Sequence, residues 1–266
     1  MRIAFIGGGT MAEAMITGIL ERGVARPTDI AVGEPLEARR SALLQRFGVP
    51  TTASNQQAAA GSEIVVLAVK PQDLKAAMQD LRGTLRGGQV VVSIVAGARL
   101  EGLVQGLGHR SVVRVMPNTP AQVGMGMSVW TATPEVPGER REQVRTLLRS
   151  FGEEVYVAEE KYVDMATALS ASGPAFVFLV IEALLDAGVY IGLPRDMARQ
   201  LAVQTVLGSA YMAKQTGKHP AELKGMVASP GGTTVEGLLA LEAGAVRAHF
   251  IRAVSDAYEK AKALGG

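Results

Sequence analysis

The chain has 266 residues, 27 basic against 25 acidic, for a formal net charge of +2, and no cysteine. The near balance gives no whole-chain electrostatic case for a nucleic-acid or membrane partner. The missing thiols exclude disulfides, thiolate metal sites and a cysteine nucleophile, which fits a reducing, cytoplasmic setting. Apolar residues make up 48% and charged ones 20%, an ordinary soluble composition with enough chain for one large or two modest cores.

Residues 2–6 read as a short buried strand. Gly7-Gly8-Gly9-Thr10-Met11-Ala12 then opens a helix to about Arg22. This is G-x-G-x-x-A in the strand–turn–helix setting of a dinucleotide fingerprint, with Gly7 for the tight turn, Gly9 for approach of a pyrophosphate and Ala12 for helix packing. Apolar Met1–Leu20 is interrupted by these glycines and by Glu13, so it does not read as a signal peptide. The second strand, Asp29–Val32, runs into Glu34, where an acid hydrogen-bonds the adenosine ribose and repels a 2′-phosphate. Glu34 therefore argues for NAD over NADP, whereas Arg39 and Arg40, one turn into the next helix, are placed to reach a phosphate. Helix 35–47, a short strand at 49–51 and a helix from Asn55 follow. Then come strand Glu63–Val69, helix 72–81, strand Gln89–Ile94, helix 98–106 and strand Ser111–Met116. Such alternation predicts a parallel sheet, with Lys70 and Val95-Ala96-Gly97 at the carboxyl ends of strands, where ligands bind. Met116-Pro-Asn-Thr-Pro120 is a rigid exit, either a pocket wall or a plain strand-ending loop. Gln122–Thr131 reads as a strand, 135–149 as a helix and Glu153–Val157 as a further strand.

From residue 159 the pattern is nearly all helical: 159–170, 173–191, 195–214, 220–226, 233–243 and 245–264, punctuated by Gly173-Pro174, Gly192-Leu-Pro194 and Pro230-Gly-Gly. The chain thus divides into a dinucleotide-binding domain, 1–158, and a helical domain, 159–266. Helix 173–191 is apolar nearly all round and long enough to suggest a membrane span. Glu182 and Asp186 in its middle favour burial between protein neighbours instead. A domain this small has little capacity to surround that helix, which predicts an obligate dimer at least.

Ser229-Pro-Gly-Gly-Thr-Thr234 precedes a helix whose free N–H groups favour an anion such as a carboxylate. Thr233 and Glu236 have capping-box spacing, which predicts Thr233 as the N-cap and leaves the Thr234 hydroxyl for a ligand. The same stretch also reads as an ordinary Pro-Gly loop before a helix. His109, His219 and His249 are scattered without metal-ligand spacing, and no G-x-S-x-G is present. A nicotinamide site together with an anion-binding turn points to hydride transfer to a small carboxylated substrate.

The sequence resembles the pyrroline-5-carboxylate reductases over essentially its whole length. The likeness rests on Phe5-Ile-Gly-Gly-Gly-Thr-Met-Ala12, Leu67-Ala-Val-Lys-Pro-Gln72, Met116-Pro-Asn-Thr-Pro120, Ser170-Ala-Ser-Gly-Pro-Ala175 and Ser229-Pro-Gly-Gly-Thr-Thr234. The resemblance implies a Rossmann-type α/β domain followed by an all-α dimerisation and substrate domain. It implies reduction of the C=N bond of 1-pyrroline-5-carboxylate, a carboxylated cyclic imine, to L-proline by NADPH or NADH, the last step of proline biosynthesis. It implies cofactor contacts at Ile6, Gly7, Gly8, Gly9, Thr10, Met11, Glu34, Asn55, Ala68, Val69, Lys70, Pro71, Ile94, Val95 and Ala96. Substrate contacts fall at Val227, Ser229, Gly231, Gly232, Thr233 and Thr234, with Thr234 on the ring nitrogen; Thr234 and Lys70 are the candidate catalytic residues. A homodimer through the helical domain is implied, with dimers gathered into a pentameric ring. The family commonly has glycine where this chain has Ala171, so Ala171 must keep a negative φ. Two other readings are a β-hydroxyacid dehydrogenase-like enzyme and a non-catalytic NAD(H)-binding module.

Overall fold

The computed structural model describes residues 1–265, which divide into two compact units: Met1–Ser172 together with the chain from Ala257 onward, and Gly173–Asp256. The first unit is built on an eight-stranded sheet of order β3-β2-β1-β4-β5-β6-β7-β8. Its strands are β1 (Ile3–Ile6), β2 (Ile30–Gly33), β3 (Thr51–Thr52), β4 (Ile64–Leu67), β5 (Val90–Ser93), β6 (Val112–Met116), β7 (Gly126–Ala132) and β8 (Gly152–Tyr156). The first six are parallel, and β7 turns antiparallel to β6. Helices cover both faces, so the central strands are continuous apolar runs rather than alternating ones. The pleat sends Ile3 and Phe5 to one face with Ile16, Leu43 and Leu147, and Ala4 and Ile6 to the other with Leu81, Leu103 and Leu107. The helices supplying these residues are α1 (Thr10–Glu21), α2 (Glu37–Phe47) and α6 (Gly138–Arg149) on the first face. On the second face they are α4 (Leu74–Leu81) and α5 (Leu100–Leu107), with the short α3 (Asn55–Ala59) contributing Ala58 and Ala59.

The parallel α/β architecture follows the expectation from sequence, with two local differences. The predicted strand Gln122–Thr131 begins only at Gly126, because Thr119–Val123 forms a 3-10 turn that ends on Gly124 with φ of 72°. The predicted boundary at Gly173-Pro174 is present, marked by a bend at Ser172, but the helix before it ends in a π-turn that the sequence pattern does not predict. Helix α7 (Lys161–Ala166) continues as a π-turn, Thr167–Ala171, and ends at Ser172; α8 spans Gly173–Tyr190. Pro174 has no N–H to give to Ser170, four residues back. The Ser170 carbonyl instead accepts from Asn118 Nδ2 at 3.2 Å, and Ser172 N–H reaches back to Thr167 O at 3.0 Å. Ala171 keeps a negative φ, as its methyl requires. The 30-residue run Lys161–Tyr190 is the one helical stretch among the described residues long and apolar enough to cross a membrane.

The second unit is helical: α8, α9 (Arg195–Thr216), α10 (Pro220–Val227), α11 (Thr233–Ala243) and most of α12 (Val246–Leu264). Helices α8 and α9 form a hairpin that closes tightly where Gly188 meets Ala198. No residue of α8 is buried in the single chain, and Phe178 and Leu179 are 62% and 64% exposed. The burial expected for this helix is therefore not supplied by its own subunit. The last turns of α12 belong to the first unit, where Leu264 packs on Gly97.

Candidate active site

The carboxyl ends of the central strands are level. Ile6 is in register with Gly33 on one side and Leu67 on the other, and Leu67 with Ser93. The segments leaving these strands therefore share one edge, on either side of β1, where the order of connection reverses. That is the place where ligands bind in open parallel sheets. A cleft of about 620 Å³ opens there, lined by Gly7, Gly8, Gly9, Glu34, Asn55, Ala68, Val69 and Lys70 among the residues expected from sequence. Gly7 sits at φ of 96°, and a methyl on it would stand 2.7 Å from the Ala68 carbonyl oxygen. Gly9 has nothing within 4 Å of such a methyl, so the first turn of α1 faces open space. A helix start with exposed N–H groups and no side chain in the way suits a pyrophosphate. Ile6 lies fully buried beneath this turn, Met11 packs against the core, and Thr10 is exposed. Pro71 and Ile94, Val95 and Ala96 belong to the same edge of the sheet without lining the cleft.

Glu34 is 9% exposed. Its Oε2 accepts from Gly8 N–H at 2.9 Å and its Oε1 from Leu36 N–H at 3.1 Å, so a carboxylate already rests against the glycine turn. Arg39 donates Nε to the Gly8 carbonyl at 2.5 Å and pairs with Glu13 at 2.9 Å. Arg40 donates to the Glu34 and Pro35 carbonyls and pairs with Glu37. Asn55 donates to Asp80 at 3.0 Å. Asp73, Ala76, Ala77 and Asp80 also line the cleft and escaped the sequence reading. Ala76, Ala77 and Asp80 lie at helical spacing along α4, with Asp73 at its N-cap, so the available signal was the face of that helix rather than any motif.

In the second unit, Ser229 O accepts from Gly232 N–H at 3.0 Å, closing a turn with Pro230 second and Gly231, φ of 66°, third. That is the arrangement of a type II turn, which needs glycine at the third place. A methyl on Gly232 would stand 2.5 Å from Ser229 Oγ. The expectation that Thr233 caps the helix is corrected here. Gly232 is the N-cap, extended at φ −85° and ψ 162°, with no side-chain cap, and Thr233 is the first helical residue. The glycine backbone already adopts the cap conformation, so the helix starts one residue earlier than the capping-box spacing predicts, and Thr233 lies inside its first turn instead of capping it. Thr233 is exposed and Thr234 half-buried; Val227 ends α10 on the surface. His219 caps α10 through Nδ1, which accepts from Ala221 N–H at 3.2 Å, and buried His109 bonds the Gln89 carbonyl at 2.9 Å. No cluster of potential metal ligands occurs among the described residues.

A family model described as pyrroline-5-carboxylate reductase dimerisation matches residues 160–264. A second, described as NADP oxidoreductase, coenzyme F420-dependent, matches residues 2–97. The chain is 42% identical over 265 residues to the pyrroline-5-carboxylate reductase of Synechocystis, covering 100% of this chain and 98% of the relative. Among solved structures it is similar to a pyrroline-5-carboxylate reductase from Coxiella burnetii, with a TM-score of 0.93 and 36% identity over 100% and 98% of the two chains. It is also similar to the Plasmodium falciparum pyrroline carboxylate reductase with NADP bound, with a TM-score of 0.91 and 32% identity over 100% and 98%.

Proposed function

This chain belongs to the pyrroline-5-carboxylate reductase family, and from that premise we propose how its residues divide the work. It is an oxidoreductase that reduces the C=N bond of 1-pyrroline-5-carboxylate to L-proline with NADPH or NADH, the last step of proline biosynthesis. One observation carries the reading: the likeness to curated reductases runs the full length of the chain, so the dinucleotide cleft and the Ser229–Thr234 turn are matched together. The cleft fits the cofactor by volume and by the open space above Gly9. When bound, the reduced nicotinamide supplies the hydride.

We assign residues 1–158 to cofactor binding and 159–266 to substrate binding and dimerisation. The cofactor is held along Ile6–Met11, by Glu34 and Asn55, and by the segments Ala68–Pro71 and Ile94–Ala96. The substrate rests on Val227, Ser229, Gly231, Gly232, Thr233 and Thr234, its carboxylate on the N–H groups at the start of α11. Reduction adds a hydride to the imine carbon while the π pair goes to nitrogen, which carries a proton. Thr234 hydrogen-bonds that nitrogen and orients its proton. Lys70, exposed at the carboxyl edge of the sheet, adds positive charge to the cofactor cleft. The enzyme works as a homo-oligomer on a small molecule. We propose a homodimer through the helical domain, dimers gathered into a pentameric ring, a cytoplasmic location and no membrane or nucleic-acid partner.

The deciding experiment follows NADH or NADPH oxidation with 1-pyrroline-5-carboxylate, and the reverse reaction with 3-hydroxyisobutyrate. Turnover of the imine alone is expected. Folded protein that leaves the imine untouched overturns the reading, and turnover of the hydroxyacid points to the dehydrogenase class instead.

A further inference from the structure

The adenosine end of the cleft carries an acid where a phosphate would have to sit, and the arginines beside it are already occupied. We propose that this chain selects NADH over NADPH, with Glu34 as the discriminating residue. The inference rests on the reading of this cleft as a dinucleotide site and adds which dinucleotide it takes.

Glu34 stands just past the carboxyl end of β2, and each carboxylate oxygen is held by a different backbone donor, Gly8 N–H and Leu36 N–H. Swinging the side chain aside would strip the buried Gly8 N–H of its partner, which makes the carboxylate a fixture of the cleft. A fixed carboxylate keeps lone pairs for ribose hydroxyls, which donate. A 2′-phosphate offers it only acceptors and like charge.

Sites for the phosphorylated cofactor answer that group with arginine. Arg39 and Arg40 stand in the right place, but both are turned to other work. Arg39 ties the Gly8 carbonyl to Glu13, and Arg40 ties the Glu34 and Pro35 carbonyls to Glu37. Recruiting either to a phosphate breaks an ion pair and releases backbone carbonyls, that of Gly8 in the glycine turn for Arg39 and those of Glu34 and Pro35 for Arg40. The remaining charges lining the cleft are Asp73 and Asp80 against Lys70, which adds no net attraction for a further phosphate. The Plasmodium relative was solved with NADP, so the preference is read from this chain's own residues.

The test is direct fluorescence titration with NADH and with NADPH, without imine, so its result does not depend on the substrate reduced. NADH is expected to bind at least about tenfold more tightly. Glu34→Gln keeps the shape and removes the charge, and is expected to bring the two affinities together, NADPH rising and NADH falling. Glu34→Ser is expected to do the same and serves if Glu34→Gln does not fold. Arg39→Ala is expected to weaken both nucleotides alike. Wild-type affinity for NADPH equal to or above that for NADH overturns the proposal. So does an NADH-to-NADPH ratio unmoved in the Glu34 variants, or a loss confined to NADPH in Arg39→Ala. Binding of neither nucleotide by the folded wild type overturns the dinucleotide reading itself.

Discussion

Thr234 and Asn118 show how much a single polar side chain can carry here. Thr234 is half-buried in the first turn of α11 and, with capping left to Gly232, neither threonine hydroxyl is committed to a cap. Thr234→Ala removes the one side-chain hydrogen bond assigned to the imine nitrogen. The expected loss is about 1–3 kcal/mol in kcat/KM, roughly tenfold to a hundredfold, with nucleotide affinity unchanged. Steady-state kinetics beside a nucleotide titration read both, and unchanged kinetics would remove Thr234 from the site. Asn118 works on stability. Its Nδ2 replaces the donor that Pro174 lacks at the Ser170 carbonyl, and its Oδ1 accepts from Met127 N–H at 2.8 Å. Asn118→Ala leaves a carbonyl and an N–H unmet in half-buried ground, so about 1–3 kcal/mol of stability is expected to go. Calorimetry would show it as a lowered Tm. Asn118→Asp keeps only the acceptor and is expected to recover part of the loss.

At the scale of an element, the glycine turn before α1 separates folding from binding within three residues. Gly7→Ala drives a methyl against the Ala68 carbonyl from a left-handed φ, and is expected to destabilise the protein by about 1–3 kcal/mol. Gly9→Ala meets nothing in the protein, so its Tm is expected to stay near wild type. Its methyl takes the space of the pyrophosphate, and nucleotide affinity is expected to fall at least about tenfold. Thermal unfolding and nucleotide titration on both variants check the split. A Gly9→Ala protein that binds as well as wild type would move the pyrophosphate elsewhere. This turn was legible in the sequence because its geometry admits few residues, and the strands were legible because a sheet covered on both faces writes them as unbroken apolar runs. Asp73 and Asp80 were not, since nothing local says which face of α4 meets the cleft. The Thr233 cap was misread by one residue because the capping-box spacing outweighed the extended backbone that Gly232 adopts. The π-turn Thr167–Ala171, which leaves the Ser170 carbonyl to a distant donor, was not legible either. That donor comes from Asn118, 52 residues before Ser170 in the chain, and neighbouring sequence cannot reveal it.

On the scale of the whole molecule, the unanswered surface is that of α8. Phe178, Leu179 and Tyr190 are 62%, 64% and 92% exposed, and Val177 and Leu184 are also open. A surface this apolar marks an interaction site, and a membrane and a second copy of the chain are the two ways to cover it. Glu182 and Asp186 decide between them, because carboxylates in the middle of a hydrocarbon span are costly and need partners of their own. The dimerisation model covers residues 160–264, the whole of this surface. Protein made without detergent is therefore expected to sediment as a dimer or larger assembly, with no monomer at micromolar concentration. Leu179→Glu buries an unpaired charge in that interface and is expected to cost several kcal/mol of association. Sedimentation would then shift towards monomer, and the Tm would come to depend on protein concentration, as it does when folding and association are linked. A wild-type chain that sediments as a stable monomer, or one that requires detergent to stay in solution, would overturn this assignment of α8.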